Sequence, residues 1–144
     1  MILPPRVLIV DDEERFRITL SKLLAERDLD VHHAGSGMEA VQEVQHRLYD
    51  VIILDVKMPG MDGIEALREV KRVSPGTEVI LLSGHATVES AIEGMRLGAY
   101  DYVTKPCEID VLMEKINGAV EVKSARDERL RQAEIRSLVD RRPT

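Results

Sequence analysis

The chain is nearly devoid of aromatic residues and has one cysteine. Tryptophan is absent, Phe16 is the single phenylalanine, and three tyrosines complete the set among 144 residues. A core drawn from this sequence must be mostly aliphatic, which suits an α/β sheet covered on both faces. Cys107 alone excludes an intrachain disulfide and fits a reducing compartment. No apolar run approaches the roughly 20 residues that a membrane-spanning helix needs. The opening Met1-Ile2-Leu3-Pro4-Pro5 has no charged leading region, so it does not read as a signal peptide. These absences predict a cytoplasmic protein without membrane contact.

An excess of positive charge is also missing. The formal net charge is −6, and residues 1–120 carry 13 basic against 21 acidic side chains. That portion should repel a nucleic-acid backbone. Residues 121–144 carry 7 basic and 5 acidic side chains. Their mixed signs read as a solvated helix rather than a DNA-binding arm, so no direct nucleic-acid binding is expected. The length supports one hydrophobic core and leaves little chain for a second.

Apolar runs and helical periodicity alternate along the chain. Strands are expected at residues 6–10, 30–33, 50–55, 78–82 and 99–103. The first helix should run from Glu13 to about Arg27, with Phe16, Leu20, Leu23 and Leu24 as its apolar stripe. Ser36 and Glu39 have capping-box spacing at the start of the second. Ile64, Leu67 and Val70 mark the third, which ends before Ser74-Pro75-Gly76. The fourth spans about 87–97 and stops at Gly98, a suitable C′ residue. Val88, Ile92 and Met95 are expected to pack inward, with partial exposure as the alternative. The fifth begins after Pro106 and continues past Lys115. Five strand–helix repeats predict a doubly wound, five-stranded parallel sheet with helices on both faces. The order 2-1-3-4-5 rests on analogy with such folds.

The chemistry sits where the apolar runs end. Val7-Leu8-Ile9-Val10 is followed by Asp11-Asp12, and Val51-Ile52-Ile53-Leu54 by Asp55. If the first and third strands are neighbours, three carboxylates meet at one sheet edge, the usual ligand edge of such folds. Two later runs end at Ser83 and Lys105. Three acids, a hydroxyl and an amine can bind Mg²⁺ and place a phosphoryl group on a carboxylate. Asp55 is the candidate acceptor. Asp11 and Asp12 are the metal-side acids, one binding directly and one acting through water, in an order the sequence leaves open. Ser83 can donate to a phosphoryl oxygen or, more plainly, cap the next helix. Lys105 can pair with a phosphoryl oxygen or with the acceptor. Lys57 and His85, each two residues beyond a site residue, can tune the lifetime of the modified state. His32, His33 and His46 form no persuasive metal site, and Cys107 is not expected to be redox-active.

Over residues 5–122 the chain resembles the response-regulator receiver domain, the CheY-like fold of two-component signalling. The resemblance rests on Asp11-Asp12, Asp55, Met58-Pro59-Gly60 with Asp62-Gly63, Ser83, and Lys105-Pro106. It implies phosphorylation of Asp55, Mg²⁺ held by Asp11, Asp12, Asp55 and the backbone carbonyl of Lys57, and a Lys105-Pro106 peptide that is commonly cis. It also implies a switch in which Ser83 moves toward the phosphoryl group and Tyr102 changes rotamer. The segments 83–88 and 98–102 look like the NtrC-type branch, whose receivers often control an ATPase that activates transcription.

The resemblance therefore implies a switch phosphorylated by a sensor histidine kinase, altering dimerisation or output contacts. Its role is regulatory, although the domain assists its own phosphorylation and dephosphorylation. Residues 123–144 are expected to be a charged helical extension or a linker to an output domain. No P-loop or helix-turn-helix motif is present, so an ATPase or DNA-binding output would lie outside this sequence. Two other readings compete. One is a phosphorylation-independent interaction module that retains the acidic pocket, and the other is a metal-dependent phosphohydrolase.

Overall fold

The computed structural model describes residues 3–85 and 87–141. The elements follow in the order β1 (Arg6–Val10), α1 (Glu14–Ala25), β2 (Asp30–Ala34), α2 (Gly37–His46), β3 (Val51–Leu54), α3 (Gly63–Val73), β4 (Glu78–Ser83), α4 (Val88–Arg96), β5 (Asp101–Thr104) and α5 (Ile109–Asp140). All strand pairs are parallel, and the sheet order is β2-β1-β3-β4-β5. This is the expected doubly wound topology, with the reversal of winding between β1 and β3.

Every residue of β3 and β4 is buried, as is all of β1 beyond Arg6. Their side chains divide by the two-residue strand period. Leu8, Val10, Ile52, Leu54, Val79 and Leu81 meet Ala40 and Val44 of α2 and Leu67 and Val70 of α3. Val7, Ile9, Val51, Ile53, Ile80 and Leu82 meet Leu20 and Leu24 of α1 and Leu112 and Ile116 of α5. Each fully buried aliphatic side chain contributes about 1.5–3 kcal/mol by leaving water, which explains continuous apolar strands rather than alternating ones.

The caps follow the sequence closely. Ser36 Oγ accepts the Glu39 N–H, but the Glu39 carboxylate reaches back to Gly35 N–H, one residue beyond a standard capping box. Thr87 and Ser90 close a full capping box on α4. Gly98 follows that helix with φ of 97°, a left-handed conformation open to glycine at low cost.

Three placements depart from expectation. β5 begins at Asp101 rather than 99, because the Gly98 and Ala99 N–H groups bond back to Met95 and Gly94 at the end of α4. Leu23 is 38% exposed, leaving Leu20 and Leu24 as the inner edge of the α1 stripe. On α4, Val88, Ile92 and Met95 face outward at 72%, 47% and 47% exposure, so the expected inward packing is wrong. The buried residue of this helix is Gly94, where an added Cβ would lie 2.4 Å from Leu81 Cδ1. A glycine brings the helix close to the sheet, and the larger apolar residues are left on the opposite side.

α5 is much longer than the sheet is deep. After the buried Leu112, Ile116 and Ala119, the same helical face continues with Lys123 and Arg126. Lys123 pairs with Asp50 at 3.6 Å and with Asp127 at 2.6 Å. Arg126 pairs with buried Glu78 and donates to the Gly76 carbonyl. These contacts lie at the N-terminal edge of β3 and β4. The described residues from Asp127 onward are exposed. Among the described residues, no helix is long and apolar enough to cross a membrane.

Candidate functional site

The parallel register builds the site. Val10 is paired with Leu54, and Leu54 with Leu81, so the residues that leave β1 and β3 emerge side by side. Asp55 N–H donates to the Val10 carbonyl at 2.9 Å, and Lys105 N–H donates to the Ser83 carbonyl at 2.9 Å. Sheet pairing thereby continues one residue into each loop and fixes where the functional side chains depart.

One carboxylate oxygen from each of Asp11, Asp12 and Asp55 lies within 4.8 Å of the other two. Asp11 and Asp55 are buried and Asp12 is exposed. Both Asp11 oxygens are hydrogen-bonded, each with acceptor capacity left over: Oδ1 accepts the Glu13 N–H at 2.9 Å and Oδ2 accepts Lys105 Nζ at 2.6 Å. Asp55 differs, because its Oδ1 is buried with no hydrogen-bond partner among the described residues. A buried carboxylate oxygen without a donor is costly, and a cation removes that cost. Burial pushes the Asp55 carboxyl above the usual carboxylate range. Hydrogen bonding from Ser83 opposes this, the Asp11 charge reinforces it, and Lys105 and the Lys57 backbone oppose it. The all-oxygen acidic donor set fits a hard divalent cation.

Lys105 holds Asp11 rather than the acceptor candidate, and its Nζ also lies 3.9 Å from the centre of the Phe16 ring. The ring and the acid fix the ammonium at the rim of the acid cluster. The Lys105-Pro106 peptide is cis. Ser83 is fully buried, and its Oγ accepts the His85 N–H at 3.1 Å. It does not cap α4, because Thr87 performs that task. The plain helix-capping account of Ser83 is thus excluded.

Lys57 and His85 are exposed and line one open cleft with Val56, Asp62, Thr87 and Ser90. Tyr102 is half-buried, and its hydroxyl lies 2.9 Å from Ser90 Oγ, which links it to the α4 cap. Gly63, at the start of α3, donates its N–H to the Val56 carbonyl at 2.7 Å. A Cβ there would stand 2.0 Å from the Asp55 carbonyl oxygen, so glycine is what lets α3 begin against the acceptor's own backbone.

Sequence reasoning missed four residues around this site. Phe16 serves Lys105 as well as the core, and Ser90 meets Tyr102. Arg17 donates to the Asp11 carbonyl at 2.9 Å and to His33 Nδ1 at 3.0 Å. Position 17 lies one turn into α1, the only hint that its side chain could return to the end of β1.

A family model described as the response regulator receiver domain matches residues 7–117. The regulatory protein AtoC of Escherichia coli K12 is 40% identical over 123 residues, covering 85% of this chain and 27% of that protein. The transcriptional regulatory protein ZraR of Escherichia coli O157:H7 is 35% identical over 114 residues, covering 79% of this chain and 26% of that protein. Several such relatives belong to the NtrC-type branch. The chain spans about a quarter of the length of these curated relatives. A solved receiver domain from Clostridium thermocellum superposes with a TM-score of 0.80 at 33% identity, over 84% of this chain and 98% of that one.

Proposed function

The chain belongs to the response-regulator receiver family, and from that premise we propose that it is a phosphorylation-dependent switch whose Asp55 accepts a phosphoryl group from a sensor histidine kinase. The observation that carries this reading is the buried Oδ1 of Asp55, without a hydrogen-bond partner among the described residues, where two further carboxylates and an ammonium converge.

Asp11, Asp12, Asp55 and the Lys57 carbonyl would hold Mg²⁺. When bound, the ion offsets the repulsion between the carboxylates and the incoming phosphoryl oxygens. The chain's own residues do the rest. An Asp55 carboxylate oxygen forms a bond to phosphorus as the donor's phosphorus–nitrogen bond breaks, and the leaving histidine nitrogen keeps the electron pair. Lys105 turns its ammonium to a phosphoryl oxygen, and the Ser83 hydroxyl donates to another. Lys57 and His85, facing the same open cleft, govern how readily water reaches the phosphoryl group. Ser83's movement draws on the α4 cap, and Tyr102 changes rotamer by giving up Ser90. This is a shift between two populations.

The exposed Val88, Ile92 and Met95 support a homodimer contact that phosphorylation adjusts. Residues 5–122 form the receiver, and the charged segment from 123 onward, helical as far as Asp140, is an extension or linker toward an ATPase or DNA-binding output, a reading supported by the greater length of AtoC and ZraR.

The test is intact mass after incubation with acetyl phosphate and Mg²⁺. One added phosphoryl group, absent in Asp55→Asn and with chelator, is expected. An unmodified parent, under conditions that phosphorylate a known active receiver, refutes the reading. Unchanged partner binding by Asp55→Asn would then favour a phosphorylation-independent interaction module. Multiple turnover of a small phosphate ester would favour a phosphohydrolase.

A further inference from the structure

The acids of the site are held by more than the sheet. Asp11 N–H donates to the Ala34 carbonyl of β2 at 3.2 Å, so the end of β1 is tied to the end of its neighbour. Arg17 completes that tie from the other side. Its NH1 donates to the Asp11 carbonyl at 2.9 Å while its Nε donates to His33 Nδ1 at 3.0 Å. The carbonyl it grips belongs to the peptide joining Asp11 to Asp12. Turning that peptide would re-aim the exposed Asp12 carboxylate relative to the buried pair. Gly35 makes the room: a Cβ there would lie 3.2 Å from Arg17 NH1. Arg17 itself is half-buried and touches neither Asp55 nor any carboxylate of the cluster among the hydrogen bonds and ion pairs of the described residues.

We propose that Arg17, steadied by His33, is a positioning residue that fixes the Asp11–Asp12 peptide and thereby sets the affinity of the three-carboxylate cluster for a divalent cation. This rests on the proposed function and names a part of it. A planar guanidinium has donors fixed at the angle needed to reach two acceptors at once. A lysine ammonium carries the same charge without that fork. The two substitutions therefore separate geometry from charge.

The experiment is a calorimetric titration of Mg²⁺ into the metal-free chain and its variants, with metal-free thermal unfolding run in parallel. Outer partners of metal ligands typically alter affinity about 10- to 100-fold, and Arg17, acting on a backbone carbonyl, is expected at the lower end. Arg17→Ala should bind Mg²⁺ about 10-fold more weakly, and Arg17→Lys should remain at least about 5-fold weaker. His33→Phe should weaken binding about 3-fold in the parent and add almost nothing to Arg17→Ala, because the two act through one link. In acetyl phosphate reactions the Mg²⁺ concentration for half-maximal rate should rise with the dissociation constant, while the rate at saturating Mg²⁺ stays within about twofold.

Full recovery of affinity in Arg17→Lys overturns the positioning role in favour of charge alone. Parental affinity in Arg17→Ala overturns it outright, as does additivity of the two variants. If Arg17→Ala does not fold, Arg17→Lys and His33→Phe carry the same decision. A parent that binds no Mg²⁺ overturns the reading of the site itself, an outcome distinct from a parent that binds while its variants do so equally well.

Discussion

Replacing Arg126 with methionine should destabilise the fold even though the residue lies far along α5 from the acid cluster. Its partner, Glu78, is 4% exposed at the start of β4. Removing one member of a fully buried ion pair costs about 3–5 kcal/mol, because the other charge is stranded. Two features lower that figure here. The Arg126 side chain is 33% exposed, so solvent already screens the pair. Lys71 is close enough that Glu78 and Arg126 both influence its ionisation, and it would go on attracting the stranded carboxylate. Burial holds the Lys71 ammonium below its usual range, Glu78 raises it, and Arg126 lowers it. Methionine retains the apolar stem, so the loss of packing is small. The expected cost is about 1–2 kcal/mol, or about 3–8 °C in Tm for a chain of this size. Urea unfolding followed by far-ultraviolet circular dichroism at pH 7 measures it, with an unchanged denaturant slope. Adding Glu78→Gln to Arg126→Met should restore part of the loss. A cost below about 0.5 kcal/mol for Arg126→Met, within the range of ordinary surface changes, would refute the claim that the helix is fastened to the sheet there.

Other substitutions probe the opposite edge. Gly63→Ala drives a Cβ to within 2.0 Å of the Asp55 carbonyl oxygen and should cost about 2–3 kcal/mol while slowing phosphorylation; parental stability in urea would mean that α3 shifts freely. Tyr102→Phe removes only the hydroxyl contact with Ser90 and should cost about 0.5–1.5 kcal/mol, with increased exchange broadening in the α4 amides by NMR. Unchanged α4 dynamics would uncouple the ring from that helix. Asp55→Asn should be more stable than the parent in metal-free buffer at pH 7, and Mg²⁺ should stabilise it less. The sign follows from a folded-state pKa raised by burial. The stabilisation is complete below the ordinary carboxylate range and is lost as pH rises through the raised value, whereas asparagine has no such dependence. Equal pH profiles in thermal melts would contradict it.

Much of this architecture was legible because it depends on local pattern. The four-residue apolar runs before Asp11 and Asp55 specify both a buried strand and the residue that leaves it. Thr87 and Gly98 likewise bracket α4 by their own backbone preferences. What escaped depends on contacts between distant segments. Nothing local distinguishes Lys105 bound to Asp11 from Lys105 bound to Asp55, since the register of three strands decides it. The outward face of α4 escaped because Gly94, with no side chain to count as apolar, occupies the buried side. Arg17 and His33 are sixteen residues apart and meet only because β1 and β2 are neighbours.

The length of α5 gives the chain an angular property. Up to Arg126 the helix is keyed to the sheet by ion pairs, and beyond it about 14 residues, some 20 Å at 1.5 Å per residue, run free. A helix turns about 100° with each residue, so its phase at any point on the free part is set by the number of residues counted from Arg126. Inserting two residues after that position would swing whatever the free part carries by about 200°, toward the far side. Inserting seven would lengthen it by about 10 Å yet return it to within about 20° of its first heading. Along this helix, a change in length acts first as a rotation and only second as a change in reach.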